Sequence, residues 1–281
     1  MPVTQLLDRR SRRRFLSCSA AAVALPLAQA ACAATPSGRH PLKLGVTTYS
    51  FRELSLDDAL RMTRKLGLKH ISLKSFHLPL EASHEQIVAV AGKVRRTGLD
   101  FYGVGVISMS QPAHVEQAFA YASAAGVRLI MGMPTAALLP LIEQRVKKTG
   151  VGLAIHNHGP GDRNFPTPDK AYDAVRQLDR RIGLCIDVGH TVRAGADPVE
   201  CVLKYGDRLL DMHMKDVTRA APNGKEVPVG RGVIDIPALL RALVKVHYQG
   251  VIAFEYELEP KDPLAGMAES VGYTRGVLAA I

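Results

Sequence analysis

Ile182-Gly183-Leu184-Cys185-Ile186-Asp187-Val188-Gly189-His190 is a short apolar run closed by an acid, and three other runs share its design. Val151-Gly152-Leu153-Ala154-Ile155-His156-Asn157-His158 closes in imidazoles. Leu209-Leu210-Asp211-Met212-His213-Met214-Lys215-Asp216 closes in an imidazole and two charges, and Val251-Ile252-Ala253-Phe254-Glu255-Tyr256-Glu257 closes in carboxylates. The polar ends lie roughly 25 to 40 residues apart, about one strand-plus-helix unit each. A strand sends successive side chains to opposite faces. Gly183, Cys185 and Asp187 therefore share one face, and Ile182, Leu184 and Ile186 the other; Gly152, Ala154 and His156 oppose Val151, Leu153 and Ile155 in the same way. His156, Asp187, His213 and Glu255 are predicted to point to one inner side at the carboxyl ends of neighbouring strands. Two imidazoles and two carboxylates converging on a point make a metal-ligand set.

Outward from these runs, strand and helix patterns alternate along the chain. Strands are predicted near Leu42–Thr47, Lys69–Lys74, Leu99–Ile107, Val127–Met131, Val151–His156, Ile182–Asp187, Leu209–Met214 and Val251–Tyr256. Apolar residues at helical spacing mark Leu56–Leu66, His84–Arg96, Ala113–Ala124, Ala136–Lys148, Asp169–Leu178, Pro198–Tyr205, Ile236–Val246 and Leu264–Leu278. Ser55 and Ser83 are helix-start signals, and Gly67, Gly98, Gly126, Gly150 and Gly250 stand where a left-handed turn after a helix favours glycine. Strict alternation indicates an α/β fold, a single-domain (β/α)8 TIM barrel. An open doubly wound sheet is disfavoured, because no Gly-x-Gly-x-x-Gly turn follows an early strand. Barrel enzymes place their chemistry on the loops after the strands, and the longer ones here are Gly159–Pro168 and Val217–Asp235.

The chain has 281 residues, 47% of them hydrophobic, enough for one large core. Residues 1–33 read as an export signal: Ser11-Arg12-Arg13-Arg14-Phe15-Leu16, an apolar run from Ala20 to Ala28, then small residues at the expected cut. The Ser-Arg-Arg-x-Phe-Leu core matches the twin-arginine type, which implies a periplasmic or otherwise exported protein. The apolar run is too short to span a membrane, for which about 20 residues are needed. Residues 34–41 form a linker and 42–281 the barrel. Five arginines and one aspartate in residues 1–30 leave the remainder at +6, against +10 for the whole chain. With no basic stripe and no interleaved aromatics, that excess does not argue for nucleic acid. Cys185 and Cys201 are expected as buried free thiols, and Cys32 as a poor lipid-anchor candidate because Gln29 precedes it.

Each polar strand end also has a structural reading. Asp187 can cap a helix, leaving His190 on the surface. His213 can be a buried histidine satisfied by a backbone carbonyl. Glu255 can pair with Lys74, which is also predicted to face inward. His156 has the parity for a metal, with His158 farther out toward substrate and Asn157 turned away to hold a loop. Lys215 lies on the face of His213, one step above, with Asp211 below; Glu257 is nearer the exit. The joint occurrence of four such strand ends favours the metal site over four separate structural roles.

These segments resemble the xylose-isomerase-like TIM-barrel superfamily, known broadly as sugar phosphate isomerases and epimerases and distantly related to endonuclease IV. The likeness runs from Leu42-Lys43-Leu44-Gly45-Val46 to the last helix. It is most specific at Asp187-Val188-Gly189-His190, His213-Met214-Lys215-Asp216, Gly230-Arg231-Gly232-Val233-Ile234-Asp235 and Phe254-Glu255-Tyr256-Glu257. The resemblance implies that Asp187, His213 and Glu255 bind a divalent metal, usually manganese, and that His190 and Arg231 contact substrate. Histidine–carboxylate sites also accept zinc, cobalt or iron. One departure stands out: family epimerases usually carry a glutamate on the fifth strand, paired with the last-strand glutamate as acid and base, where this chain has His156.

The expected chemistry is metal-dependent proton transfer through an enediolate on a sugar, giving isomerisation or epimerisation. Glu255 or His156 takes the proton, and His190, Lys215 or His158 delivers one. A lyase or hydratase acting on 3-keto-glycosides is the alternative, favoured by His156 and by export; a non-catalytic sugar-binding barrel is a third. Export and the lack of a basic cluster at a helix start argue for a non-phosphorylated substrate. A nuclease would need a richer set of histidine and glutamate ligands. A homo-oligomer is left open.

Overall fold

The computed structural model describes residues 42–281. The export signal, the linker, Cys18 and Cys32 lie outside the described residues. Ten strands are described: β1 (Lys43–Thr47), β2 (His70–Leu73), β3 (Asp100–Met109), β4 (Leu129–Pro134), β5 (Gly152–His156), β6 (Ile182–Asp187), β7 (Leu209–Met214), β8 (Asp216–Val217), β9 (Glu226–Val227) and β10 (Val251–Phe254). β1 to β7 and β10 close into a parallel barrel in chain order, with β10 between β7 and β1. Between them run α1 (Leu56–Lys65), α2 (His84–Arg96), α3 (Pro112–Ala125), α4 (Leu139–Thr149), α5 (Pro168–Val175), α6 (Val188–Arg193), α7 (Pro198–Tyr205), α8 (Ile236–Lys245) and α9 (Leu264–Ala280).

Alternation along the strands divides the core in two. Leu153, Ile155, Leu184 and Ile186 point outward and are fully or almost fully buried against the helices, in the larger apolar cluster. Each such side chain contributes about 1.5–3 kcal/mol. Inside the barrel a smaller cluster holds Tyr102, Met131, Ala154, Cys185, Val251 and Ala253. The small inner residues on β5, β6 and β10 leave room above them for the polar strand ends.

Local signals account for most boundaries. Asp58 N–H donates to Ser55 Oγ at 3.1 Å, and Ser83 forms a capping box with Gln86. Gly67, Gly98, Gly126 and Gly150 all have positive φ, as expected after helices. Gly250 does not. There the left-handed residue is His247, at φ 53°, and a side chain at 250 would run into the Leu210 carbonyl and the Tyr248 hydroxyl. Two elements go beyond the expected pattern. A short helix, α6, starts directly after Asp187, and the loop after β7 folds into an antiparallel hairpin of β8 and β9. Cys185 and Cys201 are free and buried. Among the described residues no helix is long and apolar enough to cross a membrane.

Candidate metal centre

His156 ends β5, Asp187 ends β6, His213 lies one residue before the end of β7, and Glu255 follows β10. These four strands are consecutive around the barrel, so their carboxyl ends meet on one arc of its mouth. One donor atom from each residue lies within 4.8 Å of the others, and all four side chains are buried. His156 Nε2 is 3.5 Å from Asp187 Oδ2 and 3.9 Å from Glu255 Oε2; His213 Nδ1 is 3.1 Å from Glu255 Oε2. Both ring nitrogens of His156 and His213 Nε2 are buried without a hydrogen-bond partner, and Asp187 Oδ2 is buried with the Lys215 ammonium 3.1 Å away. Polar atoms orphaned in this way are costly unless something else binds them. Nitrogen and carboxylate oxygen donors at this spacing suit a divalent cation.

The charge states agree with that chemistry. Burial pushes the His156 imidazole down to about 3, so it is neutral and has a lone pair to offer. Burial alone would raise Asp187 and Glu255. Lys215, His190 and His156 instead hold Asp187 well below the carboxylate range, and His213, Lys215 and Lys74 do the same for Glu255. Burial opposes a charged His213, but Glu255 beside it raises its pKa. A metal on His213 would compete with the proton that Glu255 favours there, so metal affinity should weaken as the pH falls. Cys185 also lies within reach of His156 and His213, but burial raises its thiol far above the usual range, which disfavours a thiolate ligand.

Asp187 has two tasks. Its Oδ1 accepts from His190 N–H at 2.7 Å, capping α6, while Oδ2 faces the cluster. The helix-cap reading of this residue is thus met by one oxygen, and the other is left turned toward the candidate ligand cluster. Asn157 supports it: the Asp187 N–H donates to Asn157 Oδ1 at 3.0 Å, and Asn157 Nδ2 donates to Thr191 Oγ1 at 3.1 Å. Under His213, Asp211 Oδ2 lies 3.7 Å from Nε2, and Tyr102 donates its hydroxyl to Asp211 Oδ1 at 3.2 Å. Such outer groups orient a ligating imidazole.

Lys215 is fully buried in the middle of this chemistry. Its Nζ is 3.1 Å from both Asp187 Oδ2 and Glu255 Oε2 and is also bonded to Glu257. Gly189 is what admits it, because a Cβ there would sit 2.6 Å from Lys215 Cγ and 2.7 Å from Cδ. The glycine of Asp187-Val188-Gly189-His190 therefore makes space for a lysine stem from β7.

The other expected residues divide into two groups. His190 and His158 lie near the mouth with ring centroids 4.6 Å apart and planes tilted by 43°, and the His156 ring lies 5.9 and 5.8 Å from them. Lys74 Nζ is 3.7 Å from Glu255 Oε1, so the expected ion pair forms alongside the cluster rather than in place of it. Arg231 is not brought to the site. Its guanidinium is exposed and pairs with Glu269 on α9, while its loop is pinned by Asp216, which accepts from Gly230 and Gly232 N–H at 3.0 and 2.9 Å. A cavity of about 290 Å³ lined by Lys43, Tyr102, Arg128 and Arg181 opens at the strands' amino ends, away from the cluster.

Glu226 on β9 is the residue that sequence reasoning missed. Its Oε1 accepts from Glu257 N–H at 2.8 Å, and its Oε2 is buried without a partner. Burial pushes its carboxyl up to about 8, with Lys215 opposing and Glu257 adding to the shift. The ordinary value is 4.5, so between pH 4.5 and 8 the unfolded chain releases a proton that the fold retains. That contribution to stability is complete below the window and lost above it. Thermal melts in chelator should therefore show Glu226→Gln gaining on the parent as pH rises from 5 to 8.5. A difference independent of pH would contradict the assignment.

The chain matches the family described as the xylose isomerase-like TIM barrel over residues 48–277. The rhizopine catabolism protein MocC of Rhizobium meliloti is 30% identical over 161 residues, which is 47% of this chain and 48% of that protein. Inosose dehydratase of Lacticaseibacillus casei is 27% identical over 138 residues, 43% of this chain and 46% of that protein. The matched region is thus about half the length of these relatives. Among solved structures, a zinc-bound IolI protein superposes with a TM-score of 0.73 at 18% identity, covering 85% of this chain and 99% of its own. L-ribulose 3-epimerase gives 0.70 at 17% identity, covering 85% of this chain and 95% of its own. With its strand order, its mouth of four convergent ligand candidates and a match spanning most of its length, this chain belongs to the xylose isomerase-like TIM barrel family.

Proposed function

We propose that this protein is a divalent-metal enzyme that moves a proton on the carbon beside the carbonyl of a non-phosphorylated sugar or sugar derivative. The observation that carries the proposal is the buried convergence of His156, Asp187, His213 and Glu255 within 4.8 Å, with orphaned donor atoms, at the carboxyl-end mouth of the barrel. An ion held there supplies a Lewis acid that polarises the carbonyl and lowers the cost of removing the neighbouring proton. Glu255 is an ionised carboxylate at neutral pH and is the proton acceptor. Lys215, a buried ammonium hydrogen-bonded here to that carboxylate at 3.1 Å and also bonded to Glu257, keeps a positive charge at the mouth that offsets negative charge developing on the substrate. His190 and His158 stand one shell outward, placed to handle a second proton. Return of the proton to carbon gives isomerisation or epimerisation. The reading of residues 1–33 as an export signal supports action outside the cytoplasm, which favours a non-phosphorylated substrate.

A second outcome, loss of a β-hydroxyl as water, is favoured by one specific feature. His156 stands where family epimerases carry a glutamate, so the carboxylate pair that would serve both faces of one carbon is missing. Dehydratases among the relatives fit the same reading. Incubating the manganese-loaded protein in heavy water with ketoses, 3-keto-glycosides and inososes separates the outcomes. Solvent deuterium in an intact sugar supports isomerisation or epimerisation, and a product lighter by one water supports elimination. Neither signal with any of these substrates would refute the enzyme assignment. Restoring the carboxylate pair with His156→Glu should keep the metal and increase epimer formation, measured by metal analysis and NMR. Loss of the metal in that variant would contradict the ligand geometry.

A further inference from the structure

Lys215 and a metal would compete for the same oxygens. Its Nζ lies 3.1 Å from Asp187 Oδ2 and 3.1 Å from Glu255 Oε2, two atoms of the ligand candidates. A divalent ion binds carboxylate oxygen at about 2.0–2.2 Å, which would put a double positive charge within about 5 Å of the ammonium. Repulsion at that range in a buried site is strong. The ammonium therefore needs another place to go when the site is loaded.

The hairpin provides one. Glu257 already bonds Lys215 Nζ, and Glu226 is tied to the Glu257 backbone through its Oε1 at 2.8 Å. Pairing of β8 with β9 puts Glu226 opposite Val217, two residues along the chain from Lys215. The other oxygen of Glu226 is buried and has no partner. Lys215 is the charged group that acts on Glu226 most strongly, although the two are not in an ion pair. The absent side chain at Gly189 leaves the lysine stem free of a Cβ on its inner side.

Resting on the metal reading above, we propose that Lys215 has two seats. One lies on Asp187 and Glu255, as seen here. The other lies between Glu257 and the free oxygen of Glu226, and the ammonium moves there when a divalent ion binds. Glu226 is then a positioning residue: it acts on metal affinity through Lys215 and touches neither the ion nor the substrate.

Manganese titrations by calorimetry on the full-length protein, Glu226→Gln, Lys215→Met and the double variant test this. Glu226→Gln should weaken manganese binding at least ten-fold. In the Lys215→Met background the same substitution should change affinity less than two-fold. Equal weakening in both backgrounds would reveal a structural role only, and no weakening in the parent background would also overturn the proposal. If Lys215→Met does not fold, a crystal structure of the manganese-loaded parent decides. Nζ within hydrogen-bond distance of Glu226 Oε2 supports the second seat, whereas Nζ still on both Asp187 and Glu255 refutes it. Failure of the metal reading is separately visible, because the parent would then bind no manganese and the proposal would fall with it.

Discussion

Asp187→Asn should bind divalent metal at least about 100-fold more weakly than the parent while the barrel stays folded. Substitution of a group that only supports a metal ligand costs about 10–100-fold in affinity, so neutralising a direct ligand should cost no less. The expected loss is large because Asp187 turns a buried, charged oxygen toward the cluster, 3.5 Å from His156 Nε2. Asparagine retains an oxygen to accept from His190 N–H, so α6 keeps its cap. Asp187→Ala removes the charge and the cap together. In chelator, the alanine variant should be less stable than the asparagine variant by about 1 kcal/mol, the usual worth of a cap. In a chain of this size that is a melting difference of about 2–4 °C. Metal analysis after gel filtration and thermal melts measure the two effects. Stoichiometric metal in purified Asp187→Asn would remove this residue from the ligand set.

The same residue shows what the sequence could and could not disclose. Alternation of small and branched residues in Ile182–Asp187 was enough to orient Asp187 inward, because the side-chain period of a strand is two and a core lies on both sides. The barrel followed from repeating that pattern with helices between. The cap escaped a choice between functions, because nothing in a linear pattern tells which oxygen of a carboxylate faces which way. The strand period puts Lys215 on the face of His213, but its burial between two carboxylates depends on Gly189, a residue on a different strand–helix unit. Glu226 carried no signal at all. It sits in a Gly- and Pro-containing loop, and only the pairing of β8 with β9 brings it beside Glu257. Arg231 departs from its local pattern in the opposite direction. A glycine-flanked arginine looks available for substrate, but Asp216 binds the loop's backbone and Glu269 takes the guanidinium. Local periodicity reports which face a side chain uses; contacts across distant loops decide what it meets there.

Glu255→Gln should reduce solvent proton exchange into substrate by about 10²–10⁴-fold even when metal is supplied to saturation, the range expected for loss of a positioned base. Two effects must be separated, because Glu255 is both a ligand candidate and the proposed proton acceptor. As a ligand it is one of four, so glutamine should weaken metal binding, and excess metal should restore occupancy. As a base it has no substitute of equal reach: His156 is neutral, but its lone pair belongs to the ligand set, and Lys215 is fully charged. The substitution also removes the charge that raises His213 and a partner shared by Lys215 and Lys74. His213 should then lose its proton more readily, which favours metal binding and works against any explanation of the defect by poor occupancy. The measurement is the exchange rate in heavy water at saturating manganese, with occupancy checked on the same samples. A rate within ten-fold of the parent at full occupancy would remove the base role from Glu255.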